Sequence, residues 1–280
     1  MADPNPHRLR RSALYTPASN PRALEKARSL ACDVVILDLE DAVAPERKAE
    51  ARQAAVDAIR RGGFDGKEVV VRVNGLDTPW GVEDLAAVRM APPDAVLVPK
   101  VHGPGELEPF HDLLGEVALW AMIETCSSLF TLDAIASSPG LVALVVGPND
   151  LAAEMGARLG PDRAPIQAAL TLTVAAARNH GIAALDGVFN DLADVMGFAR
   201  EARQARDFGF DGKTLIHPGQ VPPCHAAFAP SPEELAWARA VIAAFEAPEN
   251  QGLGAVRVGD RMAERLHLAA ARRAAAQAGG

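Results

Sequence analysis

Short runs of aliphatic and β-branched residues alternate with longer, alanine-rich stretches between residues 12 and 218. Uninterrupted apolar runs are typical of strands that a parallel sheet buries on both faces, whereas the longer stretches have the spacing of amphipathic helices. Ile166, Leu170 and Val174, for example, recur at intervals of four residues. The pattern predicts eight strands, at residues 12–15, 34–40, 68–74, 95–100, 118–124, 141–147, 182–188 and 213–217.

Eight successive βα units predict an α/β protein with a closed (β/α)8 fold, the TIM barrel. Start signals support the helices: Asn20 precedes a proline, as many N-caps do, and Ser231 with Glu234 has the spacing of a capping box. Counting alone leaves an open Rossmann-like sheet as an alternative, although no GxGxxG motif follows the first strand.

The chain continues beyond the eighth unit. A glycine-containing stretch at residues 249–259 precedes an Ala- and Arg-rich segment that we expect to be helical from about residue 260 to residue 277. We therefore predict a barrel domain at residues 1–248 and a helical C-terminal arm or lid at residues 249–280.

Composition narrows the classes of function. The 280 residues include 28 basic and 36 acidic side chains and have a net charge of −8, which together with a single Tyr and three Trp disfavours nucleic-acid binding. No apolar run approaches the roughly 18 residues of a membrane span, so we expect a cytoplasmic protein with no membrane partner. Three scattered cysteines suggest neither a disulfide framework nor a CxxC site.

Polar residues close nearly all of the predicted strands. In a (β/α)8 barrel these strand ends converge on one mouth, where catalytic groups lie. Burying so many charges there without a ligand or metal would carry a large desolvation cost. In chain order the residues are Asp38, Glu40 and Asp41, then Arg72 and Asn74, and then Lys100, Glu124, Asp150, Asp186 and His217.

Carboxylates dominate this set, and the chain has no HExxH motif or cysteine cluster, so the composition favours Mg2+, or Mn2+, over Zn2+. Glu124 and Asp150 close neighbouring strands and form the predicted ligand pair, since Mg2+ commonly takes only one or two protein carboxylates. For Asp150, an N-cap of the following helix is an alternative of equal weight.

Arg72 emerges from an apolar strand, and its planar fork suits a carboxylate or a developing enolate oxygen. A buried salt bridge with Asp38 or Glu40 is the alternative, and the two roles are compatible. Lys100 raises the hypothesis of a Schiff-base enzyme, although a salt bridge at the rim is the favoured role. For His217 we expect packing and hydrogen bonding rather than metal ligation.

An ordered set of motifs resembles the citrate lyase β-subunit-like proteins of the HpcH/HpaI aldolase superfamily, which include malyl-CoA and citramalyl-CoA lyases. The resemblance runs from about Arg11 to Phe245 and is specific for the family, not for the substrate. The motifs are RSALYTPASNPRALEKA, VVILDLEDAV followed by Lys48 and Arg52, VRVN, VPKV, AMIET, VVGPNDL and FDGKTLIHPGQV.

The resemblance implies roles for individual residues. Glu124 and Asp150 would hold Mg2+, and Arg72 would bind the carboxylate or carbonyl of a 2-oxo acid. From the mechanism that this suggests, we expect Asp38 and Glu40 to order waters of the metal. The positions at which the family contacts substrate or CoA correspond to Tyr15, Lys26 and Pro218, together with Arg72 and Glu124.

The resemblance also implies an oligomer, a trimer or a multiple of one. Family members with a C-terminal lid carry a pattern like DGKMIDRP, whose Asp reaches a neighbouring subunit's site. This chain has GDRMAERL, so Glu264 stands in for that Asp and Leu266 for the Pro. The catalytic carboxylate is kept, but it is one methylene longer.

The implied activity is that of a Mg2+-dependent carbon–carbon lyase. It would cleave or form a hydroxy-acid acyl-CoA such as citramalyl-CoA, malyl-CoA or citryl-CoA, with an acyl-CoA and a 2-oxo acid as its other partners. Two alternatives stay open, a metal-dependent aldolase acting on a non-CoA hydroxy-oxo acid and a catalytically silent subunit of a larger complex. Retention of Arg72, Glu124 and Asp150 together argues against the silent subunit.

Overall fold

The structure is a computed structural model that describes residues 8–278, without the side chains of residues 273 and 276–278; residues 1–7 and 279–280, which the predicted domains include, lie outside the described residues. All eight predicted strands form. Their bounds are β1 Ser12–Pro17, β2 Val34–Asp38, β3 Glu68–Arg72, β4 Ala95–Val98, β5 Ala118–Ile123, β6 Leu141–Val146, β7 Ala183–Asp186 and β8 Gly212–Leu215.

These strands are parallel, follow one another in sequence order and close when β8 pairs with β1. The (β/α)8 prediction is therefore confirmed, and the open Rossmann-like alternative is wrong. Several strands end one or two residues earlier than predicted, so Glu40, Asn74, Lys100 and Glu124 lie in the loops that follow them. Their position just past the strand ends brings these polar groups to the mouth of the barrel.

Helices separate the strands and extend past them. The α-helices are α1 Pro21–Ser29, α2 Lys48–Arg61, α3 Gly81–Met90, α4 Glu108–Leu114, α5 Cys126–Phe130, α6 Leu132–Ala136, α7 Pro148–Glu154, α8 Gln167–His180, α9 Val195–Phe208, α10 Val221–Phe228, α11 Pro232–Glu246 and α12 Arg265–Ala278. Short 3-10 helices lie at Pro45–Arg47, Pro104–Glu106, Ala164–Ile166, Pro218–Gln220 and Pro248–Asn250. Asn20 caps α1 and Ser231 forms the predicted capping box of α11. Within residues 8–278, none of these helices combines the length and the apolarity that crossing a membrane requires.

The barrel interior is filled by inward-facing apolar side chains from neighbouring strands. Ile36, Val70, Leu97 and Trp120 are fully buried and belong to one cluster. Such bulky, interlocking side chains make the interior a packed core and not a channel. The polar chemistry is consequently confined to the mouth and to ion pairs in the barrel's periphery.

Asp186 lies outside the mouth, contrary to our interpretation of it as one of the mouth residues. It is fully buried and accepts two hydrogen bonds from Arg163, at 2.7 and 2.9 Å, and one from Lys213 at 2.8 Å. Lys213 also bonds Glu201 at 2.7 Å. Burial alone would raise the pKa of Asp186, but the charges of Lys213 and Arg163 outweigh it and hold that pKa below its usual value. Asp186 is part of a structural ion network.

The described chain divides into two compact units between Ala227 and Phe228, which is earlier than the predicted boundary at residue 248. The reason is that α11 belongs to the C-terminal unit: its residues Ala238 and Val241 share a core with Ala271 of α12. The expected helix start near residue 260 is wrong, since β9 Ala255–Val258 and β10 Arg261–Glu264 form an antiparallel hairpin and α12 begins only at Arg265.

The buried network makes a stability prediction. Asp186→Asn should lower the free energy of unfolding by about 3–5 kcal/mol, because it leaves two buried cations, Lys213 and Arg163, with Glu201 as their one remaining carboxylate in this network. Urea denaturation followed by circular dichroism measures the change. Asp133→Asn is the control, since Asp133 pairs with His180 from a largely exposed position where solvent screens the pair, and it should change the stability far less. Equal midpoints for the two variants would contradict the prediction.

Candidate functional site

A cavity of about 290 Å³ opens at the mouth of the barrel. Five of the predicted site residues line it: Tyr15, Asp38, Arg72, Glu124 and Asp150. A second part of its lining is apolar and includes Val146, Val188 and Ile216. Barrel closure thus gathers residues from strands that are far apart in sequence around a space the size of a small organic acid.

Arg72 and Asp38 form a two-point ion pair. Arg72 Nε donates to Asp38 Oδ1 at 2.7 Å and Nη2 donates to Oδ2 at 2.6 Å. Asp38 also accepts the backbone N–H of Glu40 at 2.9 Å, and Arg72 Nη1 lies 3.0 Å from Glu40 Oε2. The predicted salt bridges to both carboxylates are therefore present, and they orient the guanidinium rigidly.

Tyr15 supports the same guanidinium from a third direction. The carbon centre of the Arg72 guanidinium lies 4.6 Å from the Tyr15 ring centroid, within range of a cation–π contact. Burial raises the pKa of the Tyr15 phenol well above its ordinary value, although the charge of Arg72 opposes this shift. Tyr15 is therefore a neutral phenol at physiological pH and shapes the cavity next to Arg72.

Glu124 follows β5 and is almost fully buried. Its Oε1 accepts the backbone N–H of Lys100 at 2.7 Å. Gly147 makes room for it, because a Cβ at that position would overlap the Glu124 carboxylate. Burial raises the pKa of Glu124 to about 7, the charge of Asp150 adds to this shift, and the Lys100 N–H opposes it.

Asp150 lies in the first turn of α7 and is exposed to the cavity. The N-cap of α7 is Gly147, and no side chain caps this helix, so the N-cap alternative for Asp150 is wrong. No cluster of three or more His, Cys, Asp or Glu side chains suited to a metal occurs within residues 8–278. The pair of Glu124 and Asp150 is nevertheless a donor set that suits Mg2+, which keeps most of its sites for water and substrate oxygens.

Lys100 lies at the rim of the cavity, where its Nζ contacts Glu40 Oε1 and also Asp41 Oδ1 at 3.4 Å. Burial lowers the pKa of Lys100, but the hydrogen bond and charge of Glu40 outweigh it and raise the pKa above its ordinary value. A Schiff-base lysine needs the opposite shift, toward a neutral amine. The geometry supports the rim salt bridge and not the Schiff-base hypothesis.

Lys26 and Pro218 are not among the residues that line this cavity. Lys26 is exposed on α1, and Pro218 begins a 3-10 helix after β8. Glu264 is exposed at the end of β10 in the C-terminal unit. His217 accepts the Gly219 N–H at 3.0 Å and caps that 3-10 helix, which is the hydrogen-bonding role we expected for it.

Sequence reasoning missed the role of Lys48. It is buried on α2, and its Nζ donates to the carbonyl oxygens of Leu39 and Glu40 at 2.8 Å and to Asn74 Oδ1 at 2.7 Å. These bonds hold the loop after β2, which carries Glu40, against the loop after β3. A lysine on the inward face of an amphipathic helix was the available signal, because such a residue needs several buried acceptors.

Three comparisons with known proteins bear on this site. Residues 11–218 match the family model described as HpcH/HpaI aldolase/citrate lyase. A (3S)-malyl-CoA thioesterase from Cereibacter sphaeroides is 46% identical over 96% of this chain and 94% of that protein. An L-malyl-CoA/β-methylmalyl-CoA lyase from the same species is 35% identical over 91% of this chain and 90% of that protein. The crystal structure of protein CitE from Mycobacterium tuberculosis, in complex with magnesium, acetoacetate and coenzyme A, matches with a TM-score of 0.81 at 32% identity and covers 98% of this chain and 100% of that chain.

The raised pKa of Glu124 predicts how stability depends on pH when metal is removed by EDTA. Glu124 keeps its proton in the folded state up to about pH 7 but loses it near pH 4.5 when unfolded. Its contribution to stability is therefore complete below pH 4.5 and is lost as the pH rises to about 7, which amounts to roughly 3 kcal/mol.

Denaturation at several pH values checks this prediction by comparing the wild type with Glu124→Gln, which lacks the titrating group. The difference in unfolding free energy should fall between pH 4.5 and 7 and then level off. Asp150→Asn should show a smaller fall, because it removes a charge that raises the pKa of Glu124. A pH-independent difference would contradict the prediction.

Proposed function

Because the chain belongs to the HpcH/HpaI aldolase/citrate lyase family, we propose that it is a Mg2+-dependent enzyme acting on the CoA thioester of a small hydroxy acid. The reaction is cleavage or formation of the carbon–carbon bond that joins an acyl-CoA to a 2-oxo acid. One observation carries the proposal: a preoriented guanidinium, Arg72, lines the same small cavity as Glu124 and Asp150, two carboxylates that form no ion pair with a cation of residues 8–278.

Glu124 and Asp150 are the proposed Mg2+ ligands. When bound, the ion supplies a Lewis acid for the carboxylate and carbonyl oxygens of the 2-oxo acid. The fit rests on Glu124, a buried carboxylate whose pKa is raised by burial and by the charge of Asp150 and which a cation would stabilise as an anion. Mn2+ has similar ligand preferences and is a proposed substitute.

Arg72 is the proposed binding group for the acid's carboxylate and for the oxyanion that develops when the carbon–carbon bond breaks. Asp38 and Glu40 keep its guanidinium in one orientation before the substrate arrives, so little reorganisation accompanies charge development. In the sequence-based hypothesis these two carboxylates order waters of the metal; their direct bonds to Arg72 favour an orienting role instead. Tyr15 completes this side of the site.

The thioester portion of the substrate requires a second binding region. A cavity of about 610 Å³ lies beside the start of α1 and is lined by Ser19, Asn20, Arg22 and Arg47. Two arginines and a helix start suit the phosphates of CoA. Lys26 is on the same helix, and its proposed contact with CoA, like that of Pro218, follows from the family resemblance.

Hydrolysis of the thioester is a second candidate reaction, favoured by the 46% identity to a protein named (3S)-malyl-CoA thioesterase. Both reactions would begin with the same hydroxy-acid portion held by Arg72 and the metal pair. They differ in the bond that breaks: the lyase reaction breaks the carbon–carbon bond, whereas hydrolysis breaks the carbon–sulfur bond and consumes a water molecule.

The C-terminal arm is proposed to serve the site of a neighbouring subunit, in a homotrimer or a multiple of one. Glu264 is exposed and stands where family members with a lid carry a catalytic Asp. A lyase needs a group that transfers a proton at the carbon next to the thioester, and Glu264 is the proposed group. A substrate of this kind agrees with the cytoplasmic location that we expect.

Product analysis with malyl-CoA tests the proposal. A lyase releases acetyl-CoA and glyoxylate, whereas a thioesterase releases free CoA and malate, and mass spectrometry separates the two outcomes.

EDTA should abolish either activity and Mg2+ should restore it, while Glu124→Gln and Asp150→Asn should weaken Mg2+ binding measured by calorimetry. Glu264→Gln should reduce only the lyase reaction. Turnover of a hydroxy-oxo acid without CoA would support the aldolase alternative. If the pure protein is inactive on all of these substrates, the result would support the silent-subunit alternative.

Arg72→Lys should lower kcat by roughly 10²-fold or more without unfolding the protein, because an ammonium cannot form the two-point pair with Asp38 that holds the cation in one orientation toward the substrate. Steady-state kinetics with the substrate found above, together with a thermal melt, provides the measurement. An unchanged kcat would mean that Arg72 serves only as a structural ion pair with Asp38.

A further inference from the structure

Arg72 is flanked by more negative charge than it can balance. Asp38 occupies two of its nitrogen atoms and Glu40 lies 3.0 Å from a third. A single guanidinium between two buried carboxylates leaves a net charge of −1 at the place where an anionic acid is proposed to bind. Without a further cation this cluster would repel its own substrate.

Lys100 supplies the missing cation. Its ammonium contacts Glu40 Oε1, whereas Arg72 faces the other oxygen, Oε2, so Glu40 is shared between two cations. Asp41 also contacts Lys100, but it is more than half exposed and is therefore screened by solvent. With Lys100 included, Arg72, Lys100, Asp38 and Glu40 sum to zero.

Lys48 is the other lysine near Glu40, and its contacts differ. Its Nζ donates to the carbonyl oxygens of Leu39 and Glu40 and to the amide oxygen of Asn74, all of which are neutral groups. It holds the backbone of the loop, and its charge acts on the Glu40 and Asp38 carboxylates through space without contacting either of them. Of these two lysines, only Lys100 has a direct ionic contact with that carboxylate.

The backbone of Lys100 adds an independent observation. Its φ of 51° lies in the left-handed region, which favours glycine, and within residues 8–278 the only other non-glycine residue there is Arg163. This conformation lets the Lys100 N–H reach Glu124 Oε1 while the side chain reaches Glu40. Glycine would give the same backbone without strain, so the ammonium is what lysine adds at this position.

We propose that Lys100 is a positioning residue whose ammonium neutralises Glu40 and so leaves Arg72 able to bind the carboxylate of the substrate. The inference rests on the proposed function, because it requires that Arg72 meets an anionic acid. It assigns to Lys100 an electrostatic role through Glu40, with no contact to the reacting atoms.

A charge-cancelling pair of substitutions tests this role. Binding of glyoxylate and of pyruvate to the full-length protein is measured by calorimetry at saturating Mg2+, pH 8 and low salt. Lys100→Met removes the charge but keeps the length and the backbone preference, and it should weaken binding of the acids roughly tenfold or more. Adding Glu40→Gln removes the unbalanced carboxylate, so the double variant should recover to within about threefold of the wild type.

Two further variants are controls, one for the loss of any positive charge and one for the backbone conformation of residue 100. Lys67→Met removes a positive charge from a lysine that bonds the Arg28 carbonyl oxygen, and it should leave binding unchanged. Lys100→Gly keeps the left-handed backbone without strain and should show the same loss as Lys100→Met, which separates the ammonium from the backbone. It also provides a folded substitute if Lys100→Met fails to fold.

The outcomes are distinct. Unchanged binding in Lys100→Met overturns the inference, and so does a double variant that binds no better than the single one, because Lys100 would then act as a steric clamp. A wild-type protein that binds neither acid in the presence of Mg2+ overturns the proposed function, and the inference with it. Loss in Lys100→Met with recovery in the double variant supports both.

Discussion

The two-point ion pair between Asp38 and Arg72 is the interaction on which the mouth of the barrel depends. The two residues are direct partners in the parallel ladder of β2 and β3, so the sheet register itself brings the carboxylate beside the guanidinium. Both are buried, and removing either would leave the other charge without its partner. The position of Glu40 follows from this pair, since its N–H bonds Asp38 and its carboxylate faces Arg72.

The cavity has two sides with different charge balance. On one side Arg72, Asp38, Glu40 and Lys100 neutralise one another and hold fixed positions. On the other side the carboxylate of Glu124 is buried near Asp150 and forms no ion pair with a cation of residues 8–278; burial and the charge of Asp150 raise its pKa, although the charge of Arg72 opposes them. A neutral, rigid cluster suits recognition of an organic acid, and an unbalanced carboxylate pair suits a divalent cation. The two requirements of the proposed reaction are thus met by separate groups of strands.

The proposed acid-binding side of the cavity, around Arg72, is compatible with two reactions, and the names of the relatives illustrate this. Proteins named as a malyl-CoA thioesterase and as a malyl-CoA lyase both align with more than nine-tenths of this chain. The bond that breaks depends on where the thioester lies and which group transfers a proton to it, and neither follows from the Arg72 side of the cavity. Lys100 does not determine which bond breaks either, because its proposed role is to balance the charge of Glu40.

Much of this protein follows from its sequence, because the eight apolar runs and the polar residues that close them are local patterns with a strong structural meaning. They predicted the barrel, the order of its strands and the gathering of Arg72, Glu124 and Asp150 at one mouth. Local sequence patterns do not show which side chains will form ion pairs or hydrogen bonds across the closed sheet. Asp186 also closes a strand, but it is buried against Lys213, 27 residues away, and takes no part in the cavity. The left-handed backbone of Lys100 was likewise decided only by tertiary structure, because its N–H and its ammonium have separate partners that the closed barrel brings together.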